Sequence, residues 1–289
     1  MRAVALMLGL VACTSEARAP ATSPSAGETD DSDTANRPLD LRDRPLPEVP
    51  MVMAHNAMAS ANDGYLAPNQ TLDFEEQLDL GVRGFMLDVH DEGDGPELCH
   101  SRCALGRQPL EAGLARFDAW LADHPDELVV FVLQDAVPPA DILDAFARSG
   151  LERRAIQPPA DGASWPSWRT LVGRGEQVLV TTEGRHDAVP PWYMATYDGL
   201  AFDNDYAAAS VDDFDCAVLR GTEPAPFALL NHFLTAPIAL PELAEQANEA
   251  AVLRAHIDDC TAAWGRPPSW VAVDFVELGD VMSTVGPPL

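Results

Sequence analysis

The sequence predicts an α/β fold of the (β/α)8 kind, a TIM-type barrel, and three observations carry that expectation. From residue 51 onward, short apolar runs alternate with amphipathic or polar stretches, the pattern of repeated β-α units around a parallel sheet. Seven clear apolar runs and one faint one fall within about 240 residues, the usual size of an eight-stranded barrel. Polar residues stand at the ends of these runs, and in a barrel the carboxyl ends of all strands converge on one rim.

The first thirteen residues, MRAVALMLGLVAC, hold one arginine and then an apolar run too short to span a membrane but suited to a signal peptide. Leu10-Val11-Ala12-Cys13 has the form of a bacterial lipobox. Residues 1–12 are therefore expected to be cut away and Cys13 to be lipidated; an ordinary secretory signal with a chance cysteine is the plainer alternative. Residues 13–50 are rich in Ala, Pro, Ser, Thr, Asp and Glu, with little apolar surface to offset chain entropy. They read as a disordered tether that joins the lipidated cysteine to a folded domain at 51–289. In that domain strands are expected at 51–56, 84–90, 128–134, 177–182, 200–203, 227–233 and 270–276, with the faint one at 154–157. Helices are expected at 71–80, 109–123, 140–149 and 240–264, with Pro109 and Pro139 suited to helix starts.

The chain carries 18 basic and 46 acidic side chains for a net charge of -28, and none of the basic residues is lysine. A field of that sign repels nucleic acid and anionic bilayers, so nucleic acid is excluded as a partner. Setting Cys13 aside leaves Cys99, Cys103, Cys216 and Cys260. An even number in an exported protein points to two disulfides, and Cys99–Cys103 with Cys216–Cys260 is the simplest of the three connectivities. Zinc is the rival reading, but Cys-x3-Cys without a second close pair matches zinc spacing poorly.

At the strand ends stand His55 and Asn56, Asp88 and His90, Asp135, Asp203 and Asn204, Asn231 and His232, and Asp274. Scattered in sequence, these groups would meet on the rim. Met86, Asp88 and His90 share the period-two spacing of one strand face, expected to be the barrel interior, whereas Arg83 has the opposite parity. Histidine titrates near neutral pH, so it suits either side of a proton transfer.

The ordered set AHNAMAS at 54–60, Asn69-Gln70, GVRGFMLDVH at 81–90, LCHSRC at 98–103 and VAVDF at 271–275 resembles the X-domain of phosphatidylinositol-specific phospholipase C. The likeness is nearest the plant and bacterial members that lack accessory domains. It implies cleavage of a phosphodiester with His55 as base, His100 as acid and Asp274 orienting the His55 ring. Calcium-dependent members imply a divalent cation, calcium first, held by Asn56, Asp88 and Asp135; Met86 stands where that set has another acidic residue, and Gln134 competes with Asp135 for the last place. Metal-independent bacterial members have an arginine where Asp88 stands. Arg83 is then an alternative source of positive charge, with a salt bridge at the barrel's amino-terminal side as its other reading. Together with His90 and Asn231 it makes up the candidate substrate contacts.

The expected partners are a phospholipid or soluble phosphodiester as substrate and a membrane reached through the lipid anchor, which makes the chain an exported bacterial lipoprotein, periplasmic or at the cell surface. Oligomeric state leaves no mark in the sequence. A glycerophosphodiesterase-like barrel is the nearest rival enzyme, although its first strand ends in His-Arg with a nearby Glu-Asn rather than in His-Asn. A catalytically weak barrel lipoprotein acting as a binding module is the rival from another class.

Overall fold

The computed structural model describes residues 40–160, 163–235 and 238–286. Expectations for the signal peptide, Cys13 and the tether up to residue 39 lie outside the described residues. Ten strands form among the described residues, in chain order: β1 (Met51–Ala54), β2 (Gly84–His90), β3 (Glu97–Leu98), β4 (Gln108–Pro109), β5 (Val129–Asp135), β6 (Val178–Thr182), β7 (Tyr193–Ala195), β8 (Ala201–Asp203), β9 (Phe227–Asn231) and β10 (Trp270–Val273). Eight of them are parallel neighbours in the order β7-β6-β5-β2-β1-β10-β9-β8, while β3 and β4 form an antiparallel extension on β2. No ladder joins β7 to β8 among the described residues, so the sheet curls into a barrel with one seam. A backbone bond from the Ala201 N–H to the Thr196 carbonyl (2.7 Å) spans the turn there.

Strand parity sorts the side chains into two layers. Met51, Met53, Met86, Val130, Val132, Leu179, Phe227, Leu229, Trp270 and Ala272 fill the barrel interior. Val52, Phe85, Leu87, Phe131, Leu133, Val180, Leu230 and Val273 face the surrounding helices. Between sheet and helices Phe74, Phe85, Phe117 and Phe131 meet edge to face or tilted, at centroid separations of 4.7 to 6.3 Å.

The helices are α1 (Phe74–Leu80), α2 (Leu110–Asp123), α3 (Pro139–Ser149), α4 (Trp168–Val172), α5 (Pro241–Ala247), α6 (Ala250–Trp264) and α7 (Val281–Val285). Helix α1 begins three residues later than expected because Asp73 and Glu76 form a capping box, each side chain accepting from the other's backbone N–H at 3.0 Å. The single helix expected at 240–264 breaks into α5 and α6. Asn248 at the break donates to the carbonyls of Asp274 (3.0 Å) and Phe275 (3.3 Å), and the Glu249 carboxylate caps α6. This break fastens the loop after β10. Gly279 presses against it so closely that a Cβ would lie 2.4 Å from the Asn248 carbonyl oxygen.

Two further expectations are corrected. The eighth strand is β7, not 154–157, where one bridge from Ala155 to Val178 is all that forms. Residues 40–50, expected as the end of the disordered tether, pack against the barrel, with Leu46 and Val49 wholly buried beneath it. Polar composition around them masked two apolar anchors.

His232, directly after β9, faces outward into a dry cluster. Its Nε2 bonds the Ala247 carbonyl (2.8 Å), its Nδ1 meets His256 Nδ1 (2.8 Å), and Phe214 stacks on both rings. Burial pushes the His232 pKa down from 6.5 to about 3, against the Ala247 bond and with help from His256. An unfolded chain takes up this proton near pH 6.5, so the unfolded state binds more protons between 6.5 and about 3 and stability falls as pH drops through that window. Urea unfolding should show a loss of about 2–3 kcal/mol on going from pH 7 to 4.5 from this group. A His232 ring found protonated at pH 5 in the folded protein by NMR would remove the account.

Candidate active site

The register of β1 against β10 pairs Ala54 with Val273, and the His55 N–H donates to the Val273 carbonyl at 2.9 Å. His55 and Asp274 therefore leave adjacent strands side by side, both with inward parity. His55 Nδ1 donates to Asp274 Oδ1 at 2.9 Å, and the Asn69 amide donates to the same oxygen at 2.9 Å. Gln70 locks the backbone beneath, donating to the carbonyls of His55 (2.8 Å) and Val273 (3.1 Å) and accepting from the Val276 N–H. The His55 ring stacks on Phe233, with centroids 3.7 Å apart and planes at 10°. These contacts fix the tautomer and leave Nε2 facing the pocket.

Asn56 adopts a left-handed backbone with φ of 47° and lies between His55 and Asp88. Its amide nitrogen donates to Nε2 of the neutral His55 ring at 3.1 Å; turned over, to suit a ring protonated at Nε2, the amide oxygen accepts from Nε2 at 3.1 Å and the nitrogen donates to both Asp88 oxygens at 3.3 Å. Asp88 is pushed up to about 7 by burial; the His55 charge opposes this and the Glu183 charge adds to it.

His100 reaches the rim on the β3–β4 extension. Cys99 bonds to Cys103, and the Cys99 N–H donates to the Asp88 carbonyl at 3.2 Å, tying the short loop to β2. Tyr65 braces it from outside through a 2.7 Å bond to the Leu98 carbonyl. Burial, then the nearby His55 charge, pulls the His100 pKa below its ordinary value. The second disulfide, Cys216–Cys260, lies on the barrel's flank and completes the expected connectivity. Among the described residues one cluster has metal-ligand spacing, Cys216, His256 and Cys260, and two of its members are spent in that disulfide.

His55, His100, Asn56, Asp88 and Asn231 line one cavity of about 170 Å³ at the carboxyl-end rim, together with Met86, Val132, Gln134, Glu183, Tyr206, Arg220 and Phe233. Asn231 donates to Asp203 (3.1 Å) and to the Asn204 carbonyl (2.9 Å), while its own side-chain oxygen is buried without a partner. Of the three expected substrate contacts it is the one on the cavity wall. His90 lies beyond the cavity at the β2–β3 edge, its Nε2 buried without a partner. Arg83 is at the opposite end of the barrel, where Nε donates to Glu127 (2.9 Å) and Nη1 to the carbonyls of Leu78 and Val82. It cannot reach the histidines, and its opposite parity is the physical reason.

Asp135 needs the same correction. It continues the outward series Val129, Phe131 and Leu133, so its carboxylate meets His186 Nε2 (2.6 Å), the Tyr193 hydroxyl (2.7 Å) and the Thr182 hydroxyl (2.5 Å) behind the strand. Gln134, its inward neighbour, is the one on the cavity wall. Calcium requires six to eight oxygen ligands. With Asp135 saturated elsewhere, Met86 and Val132 on the wall and Glu183 accepting from Arg220 at 2.8 Å, the residues do not fit the expected cation.

Glu183, Tyr206, Phe233 and Arg220 escaped the sequence reading. Glu183 and Phe233 extend the inward parity of β6 and β9 by one step past the strand end, a usable signal. Arg220 lies in irregular chain after β8, bridged to Asp203, and carries none.

Fold and pocket together define an α/β barrel with a paired-histidine site at its carboxyl-end rim, one ring backed by a carboxylate. Residues 41–286 match the family described as PI-PLC X 1, and the chain belongs to this PI-PLC X domain family. It is 28% identical over 258 residues to a PI-PLC X domain-containing protein of Arthroderma benhamiae, covering 83% of this chain and 84% of that protein. A PI-PLC X domain-containing protein of Arabidopsis thaliana is 27% identical, covering 82% of this chain and 60% of its own length. The phosphatidylinositol-specific phospholipase C of Staphylococcus aureus superposes with a TM-score of 0.56 at 13% identity, over 84% of this chain and 92% of that one. That likeness carries the barrel fold.

Proposed function

We propose that the chain is a phosphodiesterase of the phospholipase C type, acting on an inositol phospholipid or a related phosphodiester. The observation that carries this reading is a histidine oriented by Asp274 sharing one small pocket with a second histidine, His100. His55 Nε2 takes the proton of an attacking hydroxyl whose oxygen bonds to phosphorus; the bond from phosphorus to the leaving oxygen breaks, and that oxygen takes a proton from His100. Asp274 steadies the charge that forms on His55. An anionic substrate raises the His100 pKa again, countering burial, so the ring carries its proton when it is needed.

Two disulfides agree with an exported protein, and one relative in Arthroderma benhamiae, 27% identical, is described as a secreted protein. Acylation at Cys13 followed by a tether would hold the barrel at a membrane, which rests on the Leu10-Val11-Ala12-Cys13 run.

Hydrolysis of a nitrophenyl ester of inositol phosphate, beside a glycerophosphodiester control, tests the reading. Release from the inositol ester is expected. Folded protein that cleaves neither would leave a binding module, and cleavage of the glycerol ester alone would turn the assignment to the rival enzyme.

A further inference from the structure

We propose that this pocket works without a divalent metal, and that Arg220, entering from the segment after β8, supplies the positive charge that holds the phosphate. The inference rests on the phosphodiesterase reading and names what neutralises the anion. Three features of the site support it.

The first is the donor set. Asp88 and Glu183 are the carboxylates on the cavity wall; Glu183 is engaged by Arg220, and Asp135 is turned behind the strand. A calcium ion would be left with too few free oxygens.

The second is the placement of Arg220 itself, the one guanidinium on the cavity wall among the described residues. Nε donates to Asp203 Oδ2 (2.9 Å), Nη2 to the same oxygen and Nη1 to Glu183 Oε1 (2.8 Å). Three of the five N–H groups are used, and two remain for an incoming ligand. Tyr197 and Tyr206 flank the group at 4.3 and 4.7 Å from their ring centroids. A guanidinium held this rigidly loses little freedom on binding and suits the planar, two-point recognition of phosphate. Burial works against its charge, but the bonds to Asp203 and the charges of Asp203 and Glu183 outweigh that and hold it protonated.

The third is scale. A cavity of about 170 Å³ has room for a phosphate and part of its ester, and His55, His100 and Arg220 all stand on its wall. In a chain of net charge -28 a free anion has no general attraction to the surface, so a fixed local cation is needed.

Calorimetric titration of inorganic phosphate into the full chain, stripped of metal with chelator, is the test, run beside hydrolysis of the nitrophenyl inositol ester. Phosphate should bind the metal-free protein with no gain from added calcium. Arg220→Gln should weaken it at least about tenfold and lower kcat/KM by roughly a hundredfold to a thousandfold, the range for losing one fixed charge-stabilising donor. Arg220→Lys should fall between, keeping the charge and losing the fork. Binding or turnover that appears only with calcium overturns the proposal while leaving the phosphodiesterase reading intact, as does an Arg220→Gln protein that behaves like wild type. Arg220-dependent phosphate binding with no ester cleaved does the reverse, upholding the anion site and removing the enzyme. If Arg220→Gln does not fold, the Arg220→Lys protein and the calcium arm on wild type decide.

Discussion

Replacing either His55 or His100 with alanine should lower turnover of an inositol phosphodiester by roughly a hundredfold to ten-thousandfold while leaving the fold intact, the range for losing one general acid or base. The two losses should not add, because base and acid serve the same step. Leaving group separates them. A nitrophenolate departs with little need of a proton, so the His100→Ala defect should shrink on that substrate while the His55→Ala defect persists. Asp274→Asn should harm less than His55→Ala, since the base itself remains and the Phe233 ring still stacks on the imidazole. Wild-type rates from either folded alanine variant on both substrates would refute the two-histidine assignment.

Glu127→Ala should destabilise the protein by about 3–5 kcal/mol, the range for stripping the partner from a buried ion pair. Glu127 accepts from Arg83 Nε at 2.9 Å and from Arg42 Nη2 at 2.9 Å, so its loss strands two partly buried guanidinium groups at once. Arg83 also lies 4.9 Å from the Trp120 ring centroid, a contact that survives and limits the damage. A shift of the urea midpoint with unchanged turnover per folded molecule would fit a foundation far from the chemistry. A fall in kcat with no change in stability would return Arg83 to the substrate.

What the sequence yielded, and what it hid, follows from parity. Alternation along β2 put Met86 and Asp88 on the inner face, and the structure agrees. The same alternation along β5 points Gln134 inward and Asp135 outward, yet the charge of Asp135 drew the assignment across the strand. Residue type competed with geometry there, and geometry won. Arg83 shows the opposite case, since its parity already spoke for the salt bridge that is found. His100 and Asp274 were legible through the motifs around them. Arg220 was not, because its position depends on a bridge to Asp203 seventeen residues away and on two tyrosines, and irregular chain has no period to read. The break in the long helix was hidden for a similar reason: Asn248 serves β10, a partner that helix periodicity does not record.

The seam between β7 and β8 gives Arg220 a second employment. Elsewhere the barrel is fastened by backbone ladders, which salt hardly touches, but at the seam Arg220 joins Glu183 after β6, Tyr197 after β7 and Asp203 at the end of β8. The staves of this cask are thus hooped around most of the circumference and buckled at one point by charge. Dissolved ions loosen a partly exposed buckle of this kind. The stiffness of that wall accordingly follows ionic strength, and an anion seated on the same guanidinium would draw the buckle tight from inside.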